Sequence, residues 1–314
     1  MARIYLHIGI EKTGTTSLQA FLRENHFALQ QRGLDYVGRD DSPYFEGIAH
    51  GPLAACLLPQ APEFVSAAKH APADGVLAAL RRDIDAAGSA VVLSSEHFSS
   101  RIREVEPVRR LAAALAGHEV RIVCYVRRQD DLALAGYTTA VRAGRRDPFD
   151  AREALLGGWY YDLRRMLALW AGVFGRESMI VRKYRTDRDW DVRRDFLDVV
   201  GIEPTPDLVF GQAQNVSLDA MQVELLRIVN AALPSRTDSD RLAASTGDRI
   251  RALVLDSMPK GAPLGSMLGL IDRNRIIDRF SAGNRAIEAE YMEPGALADW
   301  FDLVPGRPGR PGGA

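Results

Sequence analysis

The chain has 314 residues, a formal net charge of −1 at pH 7 and a sequence pI of about 6.6. This balance argues against a basic surface for nucleic acids or anionic membranes, and no stretch has the length and apolarity of a membrane span. The two cysteines cannot form a disulfide framework, and the first strand pattern begins too close to Met1 for a signal peptide, so we expect a cytoplasmic protein.

The first predicted element is a strand that leads through a glycine loop into a helix. Apolar and β-branched residues from Ile4 to Ile8 predict a buried strand. Gly9 and Gly14 bracket a tight loop, and apolar residues recur at helical spacing after Thr15. A strand, a glycine loop and a helix in this order aim backbone N–H groups and the positive end of a helix dipole at one anion.

This loop departs from the Walker A pattern of nucleotide triphosphatases at one position. Gly9 is followed by four residues and then Gly14, as that pattern requires, but Thr15 stands where a lysine is expected. The lysine of the loop is Lys12, before the second glycine. An ammonium group there lies on the other side of a bound phosphate. The loop therefore predicts a phosphate site for a ligand other than ATP.

Strands and helices alternate along the chain as far as residue 200. Apolar runs predict strands at 34–37, 90–93, 120–126 and 178–181. Helical spacing predicts helices at 75–87, 105–116, 159–174 and 190–200. This alternation predicts the α/β class, with a mostly parallel central sheet flanked by helices.

The remaining chain is predicted to be mainly helical from residue 206 to 303. Its helices are expected at 218–233, 241–257, 266–280 and 284–292. The Gly- and Pro-rich residues 304–314 predict a disordered tail. We expect residues 1–303 to form one α/β domain that includes this helical C-terminal region.

Polar clusters follow three of the predicted strands. They are residues 12–17, the run from Ser94 to His97, and the run from Arg127 to Asp131. Because the carboxyl ends of parallel strands share one edge of a sheet, ligands bind there in open α/β proteins. The three clusters therefore predict one active site.

The first cluster carries a family resemblance. Leu6-His7-Ile8-Gly9, followed by Lys12-Thr13-Gly14-Thr15-Thr16-Ser17-Leu18-Gln19, resembles the 5′-phosphosulfate loop of sulfotransferases, and bacterial members most of all. The resemblance implies a P-loop-like sulfotransferase fold, 3′-phosphoadenosine 5′-phosphosulfate (PAPS) as the donor, 3′,5′-ADP as the product and no metal. Lys12 would lie at the oxygen that bridges phosphorus and sulfur, and residues 13–17 would bind the 5′-phosphate through Thr13, Gly14, Thr15, Thr16 and Ser17. The alternatives are an ordinary turn between strand and helix, and a solvated Lys12.

The second cluster holds two candidates for a general base. In the resembling segment, Glu96 occupies the strand end where sulfotransferases carry a His or Glu base, and His97 follows it. Adjacent residues of an extended strand point in opposite directions, so only one of the two should face the pocket. We favour Glu96, with His97 as the other candidate. A further alternative is that Glu96 caps the helix that follows.

The third cluster resembles the family's 3′-phosphate site, in which an Arg at the strand end and a Ser in the next helix hold the phosphate. Arg127 matches the Arg, but Ala135 stands at the position of the Ser. Thr138, Thr139 and Arg142 lie on the same helical face and are candidates to replace it, of which we favour Thr139.

Together these features predict an enzyme that transfers a sulfuryl group from PAPS to a hydroxyl or amine of a carbohydrate, lipid or secondary metabolite. Lys12 would stabilise the leaving phosphate, and Glu96 would take the acceptor's proton. The partners expected are this small-molecule or glycan acceptor and no nucleic acid. The alternatives are a P-loop kinase or NTPase, and a non-catalytic nucleotide-binding protein with a degenerate sulfotransferase fold. The sequence selects neither the acceptor nor the oligomeric state.

Overall fold

The structure is a computed structural model that describes residues 1–60, 62–88, 90–187, 189–211, 218–233, 248–253, 255, 264–267 and 270–302. The chain divides into two compact units. The first comprises Met1–Arg127, Asp162–Gln214 and Gly283–Leu297, and the second comprises Arg128–Tyr161, Asn215–Ala282 and Ala298–Ala314. The predicted tail at 304–314 lies outside the described residues, and the prediction of one domain over 1–303 stays a prediction.

A five-stranded sheet lies at the centre of the first unit. Its strands follow one another in space in the order β2-β3-β1-β4-β5, and every neighbouring pair is parallel. They are β1 (Arg3–Gly9), β2 (Leu34–Tyr36), β3 (Ala90–Ser94), β4 (Glu119–Val126) and β5 (Met179–Lys183). The predicted α/β class with a mostly parallel sheet is therefore confirmed.

Helices follow the strands as the sequence predicts. In chain order they are α1 (Thr15–Glu24), α2 (His26–Gln30), α3 (Gly51–Cys56), α4 (Ala73–Ala87), α5 (His97–Arg101), α6 (Val105–Ala114), α7 (Gln129–Arg142), α8 (Arg152–Leu155), α9 (Leu163–Phe174), α10 (Val192–Val200), α11 (Ala220–Ala232) and α12 (Leu270–Tyr291). Of the helix predicted at 241–257, residues 248–253 and 255 are helical, and the rest lies outside the described residues. No helix among the described residues is long and apolar enough to cross a bilayer.

The order of the strands places a crevice beside the first loop. From β1 the chain crosses toward one edge of the sheet to form β2, whereas from β4 it crosses toward the other edge to form β5. Right-handed crossovers that run in opposite directions place their helices on opposite faces, so the carboxyl ends of β1 and β4 flank a topological switch point. The central strands β1 and β4 are buried on both faces, as Ile4, Leu6 and the whole run from Ile122 to Val126 show with no exposed surface.

The second unit is helical and has cores of its own. One core packs α7 and α8 against the first half of α12, through Leu134, Ala154 and Ile276 among others. Asp130, at the start of α7, is fully buried and pairs with Arg128 and with Arg273, at N–O distances of 2.7 and 2.6 Å. A buried carboxylate held by two guanidinium groups ties α12 to the N-terminus of α7 within this unit.

Two predicted helix boundaries are wrong. The helix predicted at 159–174 begins at Leu163, because the Asp162 side chain caps it by accepting a hydrogen bond from the backbone N–H of Arg165. The helices predicted at 266–280 and 284–292 are the single helix α12, which runs through Gly283 without a break. A glycine inside a helix costs only about 1 kcal/mol relative to alanine, which packing on both sides of it easily offsets.

Candidate active site

The first glycine of the loop brings the ends of two strands together. Gly9, at the end of β1, has a φ of 103°. A Cβ on this residue would lie 3.0 Å from the Cα of Glu96 and 3.1 Å from the Oγ of Ser99. Only a residue without a side chain permits both this left-handed backbone and this close approach. Gly9 thus sets the Glu96 backbone directly against the start of the loop between β1 and α1.

The middle of the loop is closed by its own side chains. Thr13 is fully buried, and its hydroxyl donates a 2.6 Å hydrogen bond to the carbonyl of Ile10. Because this hydroxyl already forms a hydrogen bond within the loop, the phosphate contact predicted for Thr13 would be made by its backbone N–H. Lys12 has a φ of 65°, a left-handed conformation that costs a residue with a side chain about 1 kcal/mol. Its side chain is half-buried.

The second glycine seats the N-terminus of α1. Gly14 precedes the helix with a φ of 76°, and a Cβ there would lie 3.0 Å from Val192 Cγ1 and 3.3 Å from Tyr184 Cε2. The close packing of α10 and the end of β5 against the loop therefore depends on this glycine. Thr15, Thr16 and Ser17 form the first turn of α1, where N–H groups lack carbonyl partners in the helix and the helix dipole is positive.

Glu96 lies at the same edge of the sheet, but in a helical backbone conformation that the sequence did not predict. The strand ends at Ser94, and Glu96 has helical backbone angles at the start of α5, so the alternation of an extended strand does not apply to it and His97. Its Oε2 accepts a 2.8 Å hydrogen bond from Nε2 of Gln19, on α1. Within the described residues its side chain makes no capping hydrogen bond to α5, which argues against the capping alternative.

The second base candidate, His97, turns toward a different neighbour. Its ring stacks on Phe64, with centroids 3.7 Å apart and planes 21° from parallel. Burial lowers the pKa of His97, and the nearby carboxylates of Glu96 and Glu11 oppose this effect. Its Nδ1 is buried with no hydrogen-bond partner among the described residues. His97 therefore packs beside Glu96, with its ring against the segment that contains Phe64.

Arg127 bridges the crevice between β4 and β1. Its Nη1 donates a 2.8 Å hydrogen bond to the backbone carbonyl of Lys12, and its guanidinium carbon lies 5.4 Å from the centre of the Tyr184 ring. Its Nε is buried and lacks a hydrogen-bond partner in the described part of the chain. The guanidinium therefore holds the backbone of the loop at Lys12, and its Nε–H has no acceptor among the described residues.

The residues predicted to complete the 3′-phosphate site belong to the second unit. Thr139 is exposed on α7, and its hydroxyl donates to the carbonyl of Ala135 at 3.2 Å. Thr138 is buried and bonds the carbonyl of Leu134 in the same way. The role predicted for Thr139 in binding a phosphate stays a prediction.

A buried histidine fixes the end of β3. His50 is fully buried, and its Nδ1 accepts a hydrogen bond from the backbone N–H of Ser94 while its Nε2 donates to the carbonyl of Val37. Its own backbone N–H donates to the carbonyl of Ser94. Burial lowers the pKa of His50 from 6.5 to about 4, so the ring is neutral at pH 7. His50 thus holds the peptide from which the chain turns toward Glu96.

We expect this neutral histidine to make the fold acid-sensitive. Below pH 6.5 the unfolded chain binds a proton at residue 50 that the folded protein does not bind until about pH 4, so the free energy of unfolding falls as the pH falls. Each such group contributes about 1 kcal/mol per pH unit in this window. Urea unfolding of His50→Gln between pH 7 and 5 should show a slope smaller by this amount. An unchanged slope in His50→Gln would contradict the assignment.

Several of these supporting residues were not predicted. Gln19, Tyr184 and His50 contact the predicted site residues or the strand ends that carry them. For Gln19 the sequence holds a signal, since it is a polar residue on the apolar face of α1, between Leu18 and Leu22. Within the described residues, no group of three or more His, Cys, Asp or Glu side chains is arranged to hold a metal ion.

No protein-family model matches the chain. A protein of Archaeoglobus fulgidus described as uncharacterized is 28% identical over 211 residues, which are 64% of this chain and 54% of that protein. The chain thus spans about half the length of this relative. Among solved structures, a sulfotransferase from Alicyclobacillus acidocaldarius is similar at 17% identity and a TM-score of 0.41, over 81% of this chain and 96% of that one. Likenesses of this strength do not assign the chain to a family.

Proposed function

We propose that this chain is a PAPS-dependent sulfotransferase that acts on a hydroxyl or amine of a small-molecule or glycan acceptor. One observation carries the proposal: the loop with Lys12, the carboxylate of Glu96 and the guanidinium of Arg127 lie together at the carboxyl ends of β1, β3 and β4. A cation, a base and a phosphate-binding helix start in one place are what sulfuryl transfer requires of a protein.

The residues present suit such a donor. The glycines at the two ends of the loop leave room for backbone N–H groups to approach a phosphate, and Thr15, Thr16 and Ser17 add hydroxyls at the start of α1. Arg127 has a buried Nε without a partner among the described residues, which fits a donor kept for an anion. In the proposal, the loop binds the 5′-phosphate and Arg127 binds the 3′-phosphate.

The chemistry of the proposed reaction divides between two side chains. Bound PAPS would supply the sulfuryl group and leave as 3′,5′-ADP. Glu96 would take the proton of the acceptor hydroxyl or amine on its carboxylate as the new oxygen–sulfur or nitrogen–sulfur bond forms. Lys12 would place its ammonium against the 5′-phosphate oxygen that receives the electron pair of the broken sulfur–oxygen bond.

We test the donor first, by calorimetric titration with 3′,5′-ADP, ADP and ATP-Mg. We expect 3′,5′-ADP to bind most tightly, and Arg127→Ala to weaken its binding about ten- to a hundredfold, the range for losing a hydrogen bond to a charged group. Arg121→Ala, at the opposite end of the same strand, is the matched control and should bind like the wild type.

Preferential binding of ATP-Mg would contradict the proposal and favour a kinase or NTPase. Tight 3′,5′-ADP binding without turnover of PAPS, unchanged by Glu96→Ala, would instead favour a non-catalytic nucleotide-binding protein. Equal binding of 3′,5′-ADP by the wild type and Arg127→Ala would remove Arg127 from the phosphate site.

A further inference from the structure

Gln19 is a buried amide that joins α1 to the turn after β3. Its side chain is 3% exposed, and its Nε2 lies 2.8 Å from Oε2 of Glu96 and 3.3 Å from Oγ of Ser94. A primary amide nitrogen carries two hydrogens, so it can donate to both acceptors. The opposite orientation would set the amide oxygen against the carboxylate, where it repels. The neighbours of Gln19 therefore fix which way its amide points.

The other end of this arrangement is anchored in the sheet. Oγ of Ser94 lies 2.7 Å from Nδ1 of His7, and both residues are fully buried. Burial lowers the pKa of His7 to about 3, so its ring is neutral and Nδ1 can accept the hydroxyl proton of Ser94. The oxygen of Ser94 then keeps its lone pairs for the amide of Gln19. A chain of hydrogen bonds thus runs from β1 through β3 and α1 to Glu96.

We propose that Gln19 is a positioning residue for Glu96, whose carboxylate it keeps turned toward the acceptor. The inference rests on the proposed function, in which Glu96 is the base. An N–H that donates to a carboxylate favours its charged form, which is the form that takes a proton. Because the amide bonds Oε2, the proton of the acceptor is taken at Oε1.

Other charged groups face Glu96 and its neighbours, but they do not replace this hydrogen bond. Tyr36, at the end of β2, has a pKa that burial raises well above 10 and that the charge of Glu96 raises further, with Arg23 acting in the opposite direction. Burial lowers the pKa of His97, the charges of Glu96 and Glu11 raise it, and the charge of Arg101 lowers it. Among the described residues, Gln19 is the hydrogen-bond donor to the Glu96 carboxylate.

The test replaces the amide by a thioether of similar length, in Gln19→Met. We expect kcat for PAPS turnover, measured as release of 3′,5′-ADP with water or a hexose as the sulfuryl acceptor, to fall about ten- to a hundredfold. The acid limb of the kcat–pH profile should move to higher pH by about one unit. The affinity for 3′,5′-ADP should stay at the wild-type value, because the phosphate loop is untouched.

Two further variants separate positioning from packing. Ser94→Ala removes the anchor of the amide but not the amide itself, so it should shift the profile in the same direction by less. Phe21→Leu alters a buried residue of the same helix whose ring packs against Phe210, and it should lower stability without moving the profile. A Gln19→Met enzyme with the wild-type kcat and pH profile would overturn the inference.

A second measurement keeps this inference distinct from the proposed function. The Glu96 carboxyl carbon can be followed by NMR in selectively labelled protein, and assigned from the signal that Glu96→Gln removes. Its titration midpoint should lie at higher pH in Gln19→Met than in the wild type. If the midpoint moves but the wild type does not turn over PAPS, Gln19 positions Glu96 and the proposed function fails. If the wild type turns over PAPS and the midpoint does not move, the function stands and the role of Gln19 is refuted.

Discussion

Lys12→Ala is expected to lower kcat for PAPS turnover about a hundred- to a thousandfold, the range for removing one group that stabilises developing charge in a transition state. The physical reason is the place of the ammonium. In the proposed function, the ammonium of Lys12, in a loop bracketed by Gly9 and Gly14, would neutralise the leaving phosphate oxygen as a metal ion does in kinases. The measurement is the steady-state release of 3′,5′-ADP, with the dissociation constant for 3′,5′-ADP determined in parallel.

Two companion variants decide how this result is interpreted. Lys12→Gly removes the side chain and also relieves the left-handed backbone at a φ of 65°, so the loss of turnover cannot be ascribed to a strained loop. Lys12→Arg keeps the charge and should retain part of the activity, because the larger guanidinium cannot occupy the same point. A Lys12→Ala enzyme with normal kcat and weakened 3′,5′-ADP binding would show that Lys12 binds the nucleotide without assisting the chemistry.

Glu96→Gln is expected to lower kcat about a hundred- to a thousandfold, within the usual contribution of a general base. The substitution keeps the shape of the side chain and its bond to Gln19, since an amide oxygen can accept the hydrogen bond that Oε2 accepts now. It removes only the capacity to take a proton. The acid limb of the kcat–pH profile should therefore disappear, while 3′,5′-ADP binds as before.

His97→Gln is the matched comparison for the base. Its ring is stacked on Phe64, so we expect a change in acceptor KM rather than the loss of the acid limb. If His97→Gln costs more in kcat than Glu96→Gln and abolishes the acid limb, the base is His97. The two variants therefore assign the proton acceptor whichever result is obtained.

The local pattern of the chain was sufficient for its class and for the position of the loop. Apolar runs of four to seven residues identified β3, β4 and β5 to within two residues at each end, because the buried parts of strands need continuous apolar side chains. The departure from the Walker A pattern, with Lys12 before Gly14, could also be identified from the order of the residues alone. Helix boundaries near Asp162 and Gly283 were missed because a cap and a tolerated glycine depend on what the flanking residues contact.

By itself the sequence determined that a loop bracketed by two glycines joins the first strand to the first helix and that polar clusters follow the strands, because strand, turn and helix preferences act over a few neighbouring residues. Only the tertiary structure decided that β1 lies between β3 and β4, and so that Arg127 reaches the carbonyl of Lys12, 115 positions away in the chain. It also decided that Gln19 contacts Glu96, a pair separated by 77 positions. Such contacts depend on the order and register of strands, which the packing of the whole sheet sets and no local pattern contains.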